Sequence, residues 1–149
     1  MAKISGGEKL ERALRDLAAK VANPATLRAG FLENATYSSG ESVAMIASLN
    51  EYGVPSRGQP PRPFFRQAIA KHKGEWPAAI AGLLKANNMD AVKTLNLTGE
   101  AIVGQIKQSI IDLVDPPLAP STVQRKGFDK PLIERGIMLN AVSHEVVTS

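Results

Sequence analysis

The sequence predicts one α+β domain, with helices packed on a small, largely antiparallel sheet. Three observations carry that expectation. A chain of 149 residues is the size of a single ordinary domain. Apolar residues recur at helical spacing near the N-terminus and again from about residue 90 to 113. Short, partly alternating runs near residues 26–32 and 138–147 read as strands.

The first element is a helix. Ser5 and Glu8 stand in the S-x-x-E spacing of a capping box, in which hydroxyl and carboxylate satisfy free N–H groups at a helix start. Leu10, Leu14, Leu17 and Val21 follow at intervals of four, three and four, which puts them on one face. Asn23-Pro24 stops the helix. Thr26 to Leu32 then reads as a strand entering a hairpin or loop, with Tyr37-Ser38-Ser39-Gly40 supplying the turn. Val43 to Tyr52 reads as a short helix, with Ser42 as its cap and Gly53 as its stop.

From Gly53 to Phe65 the chain is dense in proline, at Pro55, Pro60, Pro61 and Pro63. The fixed φ and missing donors predict a stiff extended loop over residues 53–65. Arg66 to about Ala86 reads as helical, kinked or broken by Gly74 and Pro77. Asn87-Asn88 marks a break. A further helix is expected from about Asp90 to Leu113, its stripe formed by Ile102, Val103, Ile106, Ile110, Leu113 and Val114. Asp115-Pro116-Pro117 ends it, and residues 116–131 are expected to be a mobile segment. A turn or helical corner near residues 131–136 and a C-terminal strand complete the domain. Aromatics are few, so Phe31, Phe64, Phe65, Trp76 and Phe128 are scattered anchors in a core of Leu, Ile, Val and Ala.

Composition narrows the function. Eighteen Lys and Arg against fourteen Asp and Glu leave a net charge of +4, too small to imply nucleic acid by itself. Specific nucleic-acid binding is not expected, and a small basic nucleic-acid-binding protein is kept as the alternative from another class. The chain has no cysteine, which removes disulfides, thiolate metal sites and Cys nucleophiles together and suits assembly in a reducing cytoplasm. The first residues lack the apolar core of a secretory leader, and no run reaches the roughly 20 apolar residues of a membrane span.

Catalytic constellations are equally hard to find. His72 and His144 stand apart from any metal-ligand spacing, and Gly6-Gly7 lacks the lysine and hydroxyl of a phosphate loop. The carboxylates, Glu51 among them, are dispersed and read as solvated. No enzyme activity, cofactor, metal, small-molecule substrate or membrane partner is therefore expected.

Two stretches are less generic. One is Val43 to Ala47 through Asn50-Glu51-Tyr52-Gly53, followed by Pro60-Pro61-Arg62-Pro63-Phe64-Phe65-Arg66. The other runs from Pro117-Leu118-Ala119-Pro120-Ser121-Thr122 to Arg125-Lys126-Gly127, then Lys130-Pro131-Leu132-Ile133-Glu134-Arg135-Gly136 and Met138. Together, over roughly residues 25 to 147, they resemble tail-completion and neck proteins of tailed bacteriophages, including the virion-morphogenesis proteins of Mu-like phages and prophages. In those families a segment ending in N-E-aromatic-G precedes an R-P-F loop, and L-x-x-x-T-x-x-x-K precedes P-L-I-x-x-G-x-L. The chain departs from the pattern at Arg135, where Thr is usual, at Met138 for the final Leu, and at Ala141-Val142, where Ser-Ile is common.

The resemblance implies a structural virion protein, assembled in the bacterial host cytoplasm, that completes the tail and joins it to the head-side connector as a homo-oligomeric ring. A tail terminator or another neck protein is the alternative within that class. Other neck and tail proteins are the implied partners. Arg57, Arg62, Pro63, Phe64, Phe65, Arg66, Arg125, Lys126 and Arg135 are the candidate interface residues, because rigid aromatic and arginine side chains make the most effective contacts. At least one of Phe64 and Phe65 is expected to pin the loop to the domain's own core.

Overall fold

The computed structural model describes residues 6–32, 34–114, 116, 124 and 136–149. It is an α+β domain in which, among the described residues, six helices pack with a two-stranded antiparallel sheet. The order is α1 (Gly7–Ala22), β1 (Ala25–Phe31), α2 (Val43–Tyr52), a short 3-10 turn (Pro55–Arg57), α3 (Phe64–His72), α4 (Trp76–Ala86), α5 (Ala91–Asp112), α6 (Ile137–Asn140) and β2 (Val142–Thr148).

α5 is the spine. Asp90 caps it, its carboxylate accepting from the Lys93 N–H at 2.9 Å, as a helix start requires. The helix packs against both strands, α3 and α4. Its inward face runs through Thr94, Thr98, Ile102, Ile106 and Ile110 at four-residue steps, with Leu113 just beyond the end. The expected stripe is therefore inward as far as Leu113, while Val114 is 58% exposed. The core gathers at the C-terminal half of α5, where Ile106, Ile110 and Leu113 meet Val43, Ala47, Phe64, Ala68, Met138 and Val142.

β1 has no hairpin neighbour. It pairs instead with the C-terminal strand, from Ala25 opposite Thr148 to Phe31 opposite Val142. The turn at Tyr37 to Gly40 closes a small loop in which Thr36 bridges Ser42. Isolated two-stranded sheets are marginal in water, and α5 provides the support. Ala25, Leu27, Ala29 and Phe31 alternate with more exposed Thr26 and Arg28, as expected of a sheet covered on one side. On the open side Arg28 meets Glu145 at 3.4 Å.

Gly99 lets α5 approach this sheet. A methyl group there would strike the His144 ring and come within 2.9 Å of Leu27 Cδ1. The glycine that costs α5 helical propensity thus seats it on the strands. His144 also lies 3.3 Å from the Asn96 amide oxygen.

The helical stretch expected from Arg66 to Ala86, kinked or broken at Gly74 and Pro77, is broken into two helices. α3 ends at His72, Gly74 lies in the break, and Pro77 falls in the first turn of α4, where its missing N–H is no loss. The corner is tied to α5: Glu75 Oε1 lies 2.6 Å from His72 Nδ1, Gln105 donates to the same oxygen at 3.0 Å, and Trp76 Nε1 donates to Gln105 at 2.9 Å. Trp76 is a half-buried helix-packing anchor.

α1 differs from its expectation in two respects. Gly6, with no side-chain cap, holds the position before the first turn, and Ser5 lies outside the described residues. The Leu10, Leu14, Leu17 and Val21 stripe forms, yet no residue of the helix is buried. Phe128, the expected mobile segment 116–131 except residues 116 and 124, and the corner at 131–135 also lie outside the described residues.

Gly99→Ala is expected to destabilise the fold by about 1–2 kcal/mol. Overpacking costs roughly 1–3 kcal/mol and outweighs the helix-propensity gain of about 1 kcal/mol. Urea denaturation measures the change, and His144→Ala in the same chain should recover part of the loss.

Candidate protein interface

The site is built around the start of α3. Pro63 occupies its cap position, and proline has no side-chain oxygen to accept from the first turn. Glu51, at the end of α2, supplies the acceptors. Phe65 N donates to its Oε2 at 2.9 Å, and Arg66 N to its Oε1 at 3.2 Å. The Phe64 N–H is taken by the Arg62 carbonyl at 2.8 Å, and the Gln67 N–H by the Pro63 carbonyl at 3.1 Å. Every N–H of that first turn has a partner. A carboxylate is well placed here, because the amino end of a helix carries partial positive charge.

Arg66 completes the charge balance. Its Nε donates to Glu51 Oε1 at 2.8 Å and its Nη2 to the Glu51 carbonyl at 3.2 Å, while its guanidinium carbon lies 5.0 Å from the Tyr52 ring centre, within cation–π range. Glu51 is buried to 5% exposure. Its role as a structural cap corrects the expectation of a solvated carboxylate.

The intervening loop is folded, not extended throughout. Val54 and Gln59 exchange backbone hydrogen bonds at 2.9 and 3.1 Å around the 3-10 turn. Gln59 Nε2 donates to Asn50 Oδ1 at 3.2 Å, and Arg62 N to the Asn50 carbonyl at 2.7 Å. Gly53 makes the crossing possible: its φ is +73°, and a Cβ there would lie 2.7 Å from both Gln59 O and Pro61 N. The resemblance motif Asn50-Glu51-Tyr52-Gly53 and the Pro60 to Arg66 stretch thus form one clasp.

The candidate residues separate by burial. Phe64, 1% exposed, is core; it meets Phe31 and Phe65 edge to face at 6.0 and 6.4 Å, and its carbonyl accepts from Ser109 Oγ at 2.7 Å. This bears out the expectation that at least one of the pair pins the loop inward. Phe65 is half-buried above Gly30. Arg62 is only 7% exposed, so it does not present a surface contact; burial lowers its pKa, and among the described residues its Nε has no hydrogen-bond partner. Phe64 and Arg62 fail as surface contacts for the same reason: the loop folds back on the domain and turns both inward. Arg57 is exposed, Pro63 is half-buried and Phe64 and Phe65 belong to α3, not to the loop. Arg125, Lys126 and Arg135 lie outside the described residues.

Beside the clasp, β1, α2 and the start of α3 enclose a groove of about 320 Å³, walled by Phe31, Ala44, Ala47 and Phe65, with Tyr52 and Arg66 among its lining. A larger cleft of about 690 Å³ lies where Lys20 and Asn23 face Asn87, Asn88 and Lys93. Among the described residues no group of three His, Asp or Glu side chains is placed to hold a metal ion, and no helix is long and apolar enough to cross a membrane. No family model, no curated protein and no solved structure matches the chain.

Sequence reasoning missed Glu51 as a structural residue and the groove altogether. The first had a legible signal: a helix starting Pro-Phe-Phe-Arg without a capping side chain needs an acceptor from elsewhere, and Glu51 is the nearest preceding carboxylate in the sequence.

Glu51→Ala is expected to cost about 2–4 kcal/mol, since it strips a buried first turn of charge-assisted hydrogen bonds. Arg66→Ala, at a side chain 54% exposed, should cost under about 1 kcal/mol. Arg62→Met should leave stability unchanged or raise it by about 1 kcal/mol, because it removes a buried, poorly paired cation. Urea midpoints of the three variants check the ranking, and a loss above about 1 kcal/mol for Arg62→Met would contradict it.

Proposed function

We propose that this chain is a structural virion protein of a tailed phage or prophage, which completes the tail and joins it to the head-side connector. Its work is binding. The observation that carries the reading is the ordered pair of motifs, Asn50 to Arg66 followed by Leu118 to Met138, which resembles the tail-completion and neck proteins. The first motif forms a single hydrogen-bonded clasp, so its residues act together in the fold.

A second support is the amount of apolar side chain facing outward. Leu10, Leu14 and Val21 on α1 and Met45 and Tyr52 on α2 are all more than half exposed. Contiguous apolar surface of this kind marks contact with another macromolecule more often than it marks chemistry. The partners on this reading are neck and tail proteins together with further copies of the chain.

Deleting the gene from a phage or inducible prophage should leave heads and tails unjoined or heads without tails, seen by electron microscopy, with infectivity restored by expression in trans. Normal infectious particles from the deletion would sink the proposal. Duplex DNA added at low salt should not bind the purified protein; binding that weakens steeply with salt would favour the nucleic-acid alternative.

A further inference from the structure

Every residue of α1 (Gly7–Ala22) is exposed. The helix packs closely on no other described helix or strand, whereas α4, which likewise buries no residue outright, lies along α5. Among the described residues one side-chain hydrogen bond ties α1 to the rest of the chain: Lys20 Nζ donates to the Asn88 carbonyl at 3.1 Å. We infer that α1 is a releasable strap, a helix that melts and reforms without disturbing the domain, hinged at Asn23-Pro24 and held shut at Lys20.

Its own sequence keeps it near balance. Alanine, leucine, lysine, arginine and glutamate, all strong helix formers, make up most of it. Glu8 stands in the first turn and Lys20 in the last, as the helix dipole favours. Glu11 and Arg15, one turn apart, meet at 2.6 Å, a spacing that supports an isolated helix slightly. Against these, Gly6 at the cap position offers no side-chain acceptor, and no buried face supplies tertiary support. A helix of 16 residues stands close to the length, about 12–15 residues, at which isolated helices are marginal in water. Melting takes nothing from the core, to which no residue of α1 belongs.

The hinge is fixed from behind. Asn23 is extended, with φ −91° and ψ 114°, because the residue before a proline is held out of the helical region. The Pro24 carbonyl accepts from Ser149 N at 3.3 Å and from Ser149 Oγ at 3.4 Å, next to the Ala25–Thr148 pair that begins the sheet. Release therefore stops at Pro24 and leaves β1 paired with β2. Ala19, Lys20 and Asn23 form one wall of the cleft of about 690 Å³, across from Asn87, Asn88 and Lys93. With Lys20 engaged the cleft keeps that wall; with α1 released it stands open on that side. Helix–coil relaxation at this length takes on the order of 1 μs, so the strap is a fast element on a slower domain. Its release does not depend on the virion reading above.

Amide exchange of the full chain in dilute solution, read peptide by peptide, tests the strap. Amides of α1 should exchange within about tenfold of the unstructured rate, and those of α5 between Thr98 and Ile110 at least about a thousandfold more slowly than that rate. Within α1 the last turn should exchange more slowly than the first, and Lys20→Ala should bring the two to the same rate. Ala13→Gly and Ala18→Gly, both at exposed positions, should each shift α1 toward coil by about fivefold. Combined, they should take α1 to the unstructured rate and leave the urea midpoint of the domain unchanged. Amides of α1 as protected as those of α5, a lowered midpoint or loss of folding in the chain carrying both glycines, or a Lys20→Ala chain whose last turn remains the slower would each overturn the inference.

Discussion

The buried carboxylate of Glu51 fixes the geometry on which the rest of this structure depends. It takes two N–H groups from the first turn of α3 and one from the Arg66 side chain, and so sets the corner between α2 and α3. With that corner in place Phe64 points into the core and Phe65 covers Gly30. A buried charge is expensive unless it is fully paired, and here the helix dipole, the backbone donors and Arg66 offset the cost together. Asn50, Gly53 and Arg62 serve the same corner through their backbones, which explains why a proline-dense stretch is held so closely against the domain.

A second constraint couples the ends of the chain. β1 and β2 are separated by more than a hundred residues, yet they pair over their full length and rely on α5 for cover. Gly99 permits that contact at His144 and Leu27, and Thr94 and Thr98, small and buried, continue the same close face. The sheet is thus a non-local element that rests on the α5 spine, and loop closure of this length slows folding more than it weakens stability.

Most elements were legible because their signals are local. The stripe from Ile102 to Leu113, the Ser42 cap with the Gly53 stop, and the breaks at Asn87-Asn88 and Gly74 each follow from residues within a turn or two of one another. What escaped was set by distance. The partner of β1 lies at the other end of the chain, so periodicity could mark a strand but not its neighbour. Glu51 looks like any dispersed carboxylate, because the Phe65 N–H that it accepts lies fourteen residues further along, in a helix whose cap position is Pro63. The α1 stripe was read correctly as periodic, but periodicity reports that a face is apolar and not what covers it.

That last distinction separates the groups that build the corner from those that face outward. The residues of the first motif turn mostly inward: Glu51, Arg62 and Phe64 are buried, and Arg66 is bound back to Glu51 and Tyr52. That stretch therefore describes how the corner is built more than what it touches. Outward apolar side chains lie on other elements as well, at Leu10 and Leu14 of α1, Val92 and Leu97 of α5 and Val147 of β2, and only partly overlap that motif. A fold of this design can keep its clasp while changing its exposed surface, because the groups that hold the corner and the groups that face outward are largely different side chains.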